Sequence, residues 1–271
     1  MRSNPRTWRP GPFLLIQIAL HGIALLLLVI SPQAWVWAMA IVLLSQLMLM
    51  VAGLWPRSAC LGPNLVRLPA SAMQRGEVAI TIDDGPDPHV TPQVLAILAQ
   101  HGARATFFCI GARATAYPEL CRSMVAAGHR IENHGARHPP LVSLSGPAGW
   151  RREILGGQHI IQGITGRAPQ FYRAVAGLRN VFLDPVLNST GLRLASWTRR
   201  GFDTRERDSD KVLQRLTREL AAGDILLLHD GNAARTTANE ALIVVVLPKL
   251  LAAIRDLGLK PVTLARACNL T

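Results

Sequence analysis

The sequence predicts a parallel α/β domain, folded as a closed or nearly closed barrel, behind a hairpin of two membrane-spanning helices. Three observations carry this. No charged residue occurs between Phe13 and Leu54. Beyond Gly76, seven short apolar runs alternate with helical stretches, which is the signature of a parallel sheet. Ionisable residues then fall repeatedly at the C-terminal ends of those runs, where α/β barrels gather their chemistry. Seven strands in fewer than 200 residues favour a ring, with a doubly wound open sheet as the alternative.

A single span needs about 20 apolar residues, so the uncharged stretch holds two, Phe13–Ile30 and Ala34–Leu54, turned at Ser31-Pro32-Gln33. Trp35, Trp37 and Trp55 stand where aromatic belts lie. A cleaved signal peptide has an apolar core of only about 7–15 residues, too short for this pattern. Arg2, Arg6 and Arg9 precede the hairpin, Arg57, Arg67 and Arg75 follow it, and the turn is uncharged. The positive-inside rule therefore sets both ends and the main domain on the cytoplasmic side of a bacterial-type inner membrane, with the periplasm as the alternative.

Residues 1–12 read as a tail, 13–54 as the hairpin, 55–76 as a linker, and 77–271 as the main domain. The linker is rich in proline and small residues and shows no periodicity. In the domain, Glu77–Asp83 alternates β-branched residues as a strand does, and Gly85-Pro86 stops it. Thr91 as N-cap with Pro92 opens a helix through Gln100. Strands follow at Arg104–Ile110, Arg130–Asn133, Gln170–Arg173, Arg193–Thr198, Asp224–His229 and Lys260–Leu264. Helices fill the intervals at Pro118–Ala127, Trp150–Gln162 (weakened by Gly156-Gly157), Val181–Ser189, Asp208–Ala222 and Glu240–Leu257.

The formal charge of +12 rests on arginine, since Lys211, Lys249 and Lys260 are the three lysines. The arginines are scattered without basic runs or aromatic interleaving, which argues against nucleic acid and for a lipid surface or a phosphate-bearing substrate. Cys60, Cys109, Cys121 and Cys268 form no close pair, so nothing asks for an oxidising compartment.

Asp83-Asp84 alone reads as an acidic turn. At a strand end, however, neighbouring carboxylates face different ways and can take separate tasks. His134 and His138, four apart on one loop or turn, can face a common ion. With Asp84 they make a donor set of two imidazoles and one carboxylate suited to Zn²⁺ or a similar divalent cation. Arg173 ends the fourth strand, Asp203 follows the fifth, and His229 ends the sixth. His21, His89, His101, His129 and His159 are left as structural or surface residues.

In this order Thr81–Pro86, the His134/His138 pair, Arg173 with Gly177, Asp203, and Leu228-His229 resemble the polysaccharide deacetylases, the chitooligosaccharide-deacetylase-like enzymes of carbohydrate esterase family 4. The resemblance spans about Glu77 to Leu264 and implies a distorted seven-stranded (β/α) barrel. It implies Asp84, His134 and His138 as ligands of a divalent metal, zinc first, with Co²⁺, Ni²⁺ or Mn²⁺ as alternatives. Asp83 would be the general base on the attacking water, oriented by Arg173, and His229 the general acid, oriented by Asp203. The expected activity is removal of an N-acetyl group from an amino sugar, in a polysaccharide or a lipid-linked saccharide. The alternatives are deformylation or deacylation of a lipid-phosphate-linked aminosugar, or a catalytically idle carbohydrate-binding module on a membrane anchor. Two departures bear on specificity. Arg173 is followed by Ala174-Val175-Ala176-Gly177, without the family's proline and aromatic residue, and Thr204 replaces the tryptophan after Asp203.

Overall fold

A computed structural model describes residues 7–270; Arg2 and Arg6, counted above for topology, lie outside the described residues. The helices are α1 (Pro12–Ile30), α2 (Trp35–Leu54), α3 (Ala70–Gln74), α4 (Thr91–Gln100), α5 (Gly111–Ala116), α6 (Pro118–Ala126), α7 (Pro147–Thr165), α8 (Leu183–Thr190), α9 (Ser209–Thr217), α10 (Leu242–Asp256) and α11 (Leu264–Ala267). The strands are β1 (Glu77–Asp83), β2 (Thr106–Cys109), β3 (Arg130–Asn133), β4 (Phe171–Tyr172), β5 (Arg193–Leu194), β6 (Arg199–Arg200), β7 (Ile225–His229) and β8 (Lys260–Val262).

Every strand pairing is parallel, in the order β5-β4-β3-β2-β1-β7-β6, with β8 on the first residues of β1. The single strand expected at Arg193–Thr198 is realised as two short pieces. β5 pairs with β4 and β6 with β7, so the run Arg193–Arg200 completes the ring on both sides. Between them the ladder is interrupted at Ser196 and Trp197, and Leu65 of the preceding segment bonds the backbone of Leu194 and Ser196 there. The result is a distorted barrel of the predicted class.

Strand alternation sorts β1 into two layers. Val78, Ile80 and Ile82 pack outward against Val94 and Leu98 of α4 and Val246 and Leu250 of α10. Ala79 faces inward, where Phe108, Phe171, Trp197, Ile225 and Leu227 fill the barrel. Leu68 and Ala72, from the stretch expected to be a linker, are buried in that same interior cluster. The segment is short of regular structure because it plugs the barrel rather than because it is free.

Other expectations are refined in instructive ways. Thr91 lies inside α4 and does not cap it; its hydroxyl donates to Asp230 Oδ2 at 2.5 Å. Gly156-Gly157 do not interrupt α7, which runs 19 residues to Thr165 and is capped by Gly166. A Cβ at Gly157 would come 2.3 Å from Asn133 Oδ1, so the glycine lets the loop after β3 approach the helix. All four cysteines are free.

Helices α1 and α2 are each long and apolar enough to cross a membrane, and most of their surface is uncovered. Ser45 donates to Gln17 Oε1 at 2.6 Å, and Gln46 meets His21, a polar seam between the two helices. The C-terminal end of α2 is tied to the barrel. Gly53 O accepts from Arg179 N at 3.1 Å, Pro56 O accepts from Ser196 Oγ at 2.6 Å, and Arg179 also bonds Ser58 O.

Candidate metal centre and catalytic cavity

The strand register assembles the site. Asp83 and His229 are Cα partners across β1 and β7, so in a parallel pair their side chains emerge on the same face. His134 directly follows Asn133, the last residue of β3, and Arg173 directly follows Tyr172, the last of β4. All sequence-predicted site residues therefore reach the C-terminal rim, and six of the seven are under a tenth exposed. Asp83, Asp84, His134, His138 and His229 line one cavity of about 190 Å³ with Trp197, Arg200 and Asn232.

Asp84 adopts a left-handed backbone, φ 73°, uncommon for a residue with a side chain. That turn aims its Oδ1 at 3.2 Å from Nε2 of both His134 and His138. The three donor atoms lie within 4.8 Å of one another. Asp84 Oδ1 is buried and has no hydrogen-bond donor correctly aimed at it, an arrangement that suits a cation at that point. Asp84 Oδ2 accepts from Asn232 Nδ2 at 2.9 Å. His134 Nδ1 lies 2.9 Å from the carbonyl of Arg173. A carbonyl only accepts, so Nδ1 carries the proton and Nε2 presents its lone pair to the site. Gly135, at φ 90°, and His138, at φ 57°, form the tight loop that turns both rings inward. The donor set and its geometry fit a divalent cation.

Burial opposes ionisation of Asp84, but the imidazoles of His134, His229 and His138 hold its carboxyl well below the usual range. For His134, burial acts against the charged form, while Asp83 and Asp84 reverse that and raise its pKa. His138 is lowered, by burial and by the neighbouring His134.

Asp83 Oδ1 accepts from Arg173 Nη1 at 2.7 Å, while its Oδ2 lies 3.9 Å from His134 Nε2, facing the candidate cation site. Arg173 is fully buried, and its remaining donors go to Thr81 Oγ1 and to the carbonyls of Ala195 and Ser196. Its guanidinium carbon stacks 4.0 Å from the Phe108 ring centroid. On the opposite wall, Asp203 is fully buried. Its Oδ1 is 2.9 Å from His229 Nδ1 and its Oδ2 accepts the His229 backbone N–H at 2.7 Å. Burial works to lower the His229 pKa, but the charge and hydrogen bond of Asp203 outweigh it, so the imidazolium is favoured.

Asn232, Trp197 and Arg200 were not foreseen. An amide three residues after a strand end carries no pattern, Trp197 sits where the ladder is interrupted, and Arg200 ends the two-residue β6. Ala174, Val175 and Ala176 of the departing loop line the cavity, and Pro56, two residues past α2, meets the loop from outside: a Cβ at Gly177 would lie 2.4 Å from Pro56 Cβ. A larger cavity, about 1210 Å³, opens at the other end of the barrel beside Arg104, Arg130 and Lys260 and holds none of these residues.

The polysaccharide deacetylase family model matches residues 70–195. The chitooligosaccharide deacetylase of Sinorhizobium fredii is 34% identical over 199 residues, covering 70% of this chain and 91% of that protein. Among solved structures, the peptidoglycan N-acetylglucosamine deacetylase Bc1960, bound to a hydroxamic acid, superposes with a TM-score of 0.67 at 25% identity, covering 77% of this chain and 94% of its own. A family 4 carbohydrate esterase from Streptomyces lividans, bound to acetate, gives 0.62 at 31% identity, covering 69% and 91%.

Proposed function

The chain belongs to the polysaccharide deacetylase family, the N-deacetylating hydrolases of carbohydrate esterase family 4, and on that premise we propose that it removes an N-acetyl group from an amino sugar at a membrane surface. The observation that carries this is the convergence of a three-donor cation site, a carboxylate and an imidazole on one small cavity. Asp84, His134 and His138 would hold the cation, with zinc the best match to the donors. A divalent cation so held supplies Lewis-acid polarisation of a carbonyl oxygen and a more acidic water.

The protein groups do the rest. Asp83, paired at 2.7 Å with the Arg173 guanidinium, takes a proton from the water that attacks the amide carbon. His229, held protonated by Asp203, gives its proton to the nitrogen as the C–N bond breaks. One water is consumed, and acetate and a free amine leave. A pure binding module has no need of both a base and an acid, which disfavours that alternative.

Acetate release from N-acetylated chitooligosaccharide by the full chain in detergent tests the reading. His229 acts while protonated, so the rate should fall as pH rises through its pKa. Asp203→Asn removes the partner that raises this pKa, so the alkaline limb should move to lower pH and the maximal rate fall by roughly 10²–10⁴-fold. An unmoved limb in Asp203→Asn would remove His229 from the acid role.

The hairpin is proposed as a two-pass anchor with the catalytic domain on the cytoplasmic side, on the support of Arg9, Arg57, Arg67 and Arg75 flanking an uncharged turn. A C-terminal fluorescent-protein fusion is expected to fluoresce in the bacterial cell. Activity of a C-terminal alkaline phosphatase fusion instead would place the site in the periplasm.

A further inference from the structure

Three cavities share walls in series from the hairpin to the catalytic rim. The first, about 550 Å³, is an apolar groove on the hairpin formed by Phe13, Leu47, Met48 and Ala52. Val51 and Trp55 belong both to it and to a second cavity of about 660 Å³, which adds Arg57, Trp197, Arg200 and Phe202. Trp197 and Arg200 belong in turn to the catalytic cavity. No acidic residue lines the second cavity.

Its cations are not equivalent. Arg199 is committed to Asp224 and to two carbonyls, and Arg215 to Glu206 and Gly201 O. Arg57 makes one bond, to Thr198 O. The Arg200 side chain makes neither a hydrogen bond nor an ion pair among the described residues, although its Nε is buried. It is held only by aromatic faces, 5.4 Å from the Trp197 centroid and 5.0 Å from Phe202. A half-buried guanidinium without a counter-ion, placed between a catalytic cavity and a membrane groove, is a site for an anion brought in by the ligand.

We propose that this series seats a lipid-linked saccharide phosphate: hydrocarbon in the hairpin groove, phosphate on Arg200, and a 2-acetamido sugar in the catalytic cavity. The proposal rests on the N-deacetylase reading of that cavity and names its substrate class. The chemistry is consistent at the junction, because in such a molecule the phosphate on C1 and the acetamido group on C2 are neighbours. The catalytic cavity holds about 190 Å³, small beside the roughly 300–1,000 Å³ of ordinary ligand pockets, and so suits the end of one sugar. Arg200 is a specificity residue in this account.

Binding is measured first, by calorimetry of the full chain in neutral detergent with farnesyl phosphate and with farnesol. The wild type should prefer the phosphate by on the order of tenfold to a hundredfold, the range of a charge-assisted hydrogen bond. Arg200→Gln should abolish the preference and Arg200→Lys retain part of it. Equal binding of the two probes, or a preference that survives Arg200→Gln, overturns the proposal. Phosphatidylglycerol in the micelles separates the sources of phosphate. If it displaces farnesyl phosphate at equal mole fraction, the cavity holds bulk lipid headgroups and the substrate assignment falls; persistence of binding supports it.

Acetate release is read separately, as the ratio of kcat/KM for farnesyl-phosphoryl N-acetylglucosamine to that for the neutral farnesyl N-acetylglucosaminide. The ratio should collapse in Arg200→Gln, mainly through KM. A phosphate preference in binding with no acetate released from either compound would leave the anion site standing and refute the hydrolase reading.

Discussion

Replacing His134 with alanine is expected to lower acetate release by at least about 10³-fold, since Lewis-acid assistance amounts to several kcal/mol and each 1.36 kcal/mol is about tenfold. The same loss is expected for Asp84→Asn. Both residues are buried, and the Asp84 carboxylate has one oxygen without a hydrogen-bond donor, aimed between two imidazole Nε2 atoms. Removing either leaves two donors where three are needed to hold a divalent ion while keeping positions open for reactants.

Activity alone would not separate metal loss from misfolding, so two further readouts accompany it. Elemental analysis of the purified full chain should find about one equivalent of divalent metal in the wild type and far less in either variant. The wild type stripped with chelator should gain thermal stability when Zn²⁺ is returned, because an ion that binds only the folded state stabilises it. Neither variant should respond. A His134→Ala protein that keeps its metal and its rate would remove Asp84, His134 and His138 from the role assigned to them.

Much of this site could be read before any coordinates, for a physical reason. Residues that end parallel strands share one rim, so Asp83, His134, Arg173 and His229 announced their neighbourhood through strand positions alone. The β/α alternation was equally legible because β1 shows alternating β-branched residues and β7, buried on both faces, reads as a continuous apolar run. What escaped depends on contacts between distant segments. The run Arg193–Arg200 reads as one strand, but it divides because Leu65 occupies the backbone groups in its middle. The stretch 55–76 reads as a linker because small residues and prolines fit a plug as well as a tether, and only Leu68 and Ala72 inside the barrel tell them apart. Asn232 matters for where a loop sets it and Arg200 for where the short β6 ends, which no periodicity encodes. The replaced Ala174–Gly177 segment read only as a loss of family features. In place its Gly177 makes room for Pro56, two residues past α2, since a Cβ there would lie 2.4 Å from Pro56 Cβ.

The second large effect concerns Arg173, which separates charge compensation from chemistry. Arg173→Met is expected to destabilise the domain by about 3–5 kcal/mol, the range for breaking a buried ion pair from one side. The loss has a specific origin: buried Asp83 would lose its guanidinium partner at 2.7 Å, and Thr81 Oγ1 and the Ala195 and Ser196 carbonyls would lose a donor. Asp83→Asn should cost less, because Arg173 retains those three acceptors and the Phe108 face. The double variant Asp83→Asn/Arg173→Met should therefore be more stable than the sum of the single losses, with a coupling of about 0.5–3 kcal/mol in a double-mutant cycle measured by denaturant unfolding. Activity should follow the opposite course. Without Asp83 no carboxylate takes the proton from water, so the double variant regains stability and no turnover. If the two single losses simply add, Arg173 does not compensate Asp83, and the assignment of Asp83 as a carboxylate base loses the ion pair that supports it.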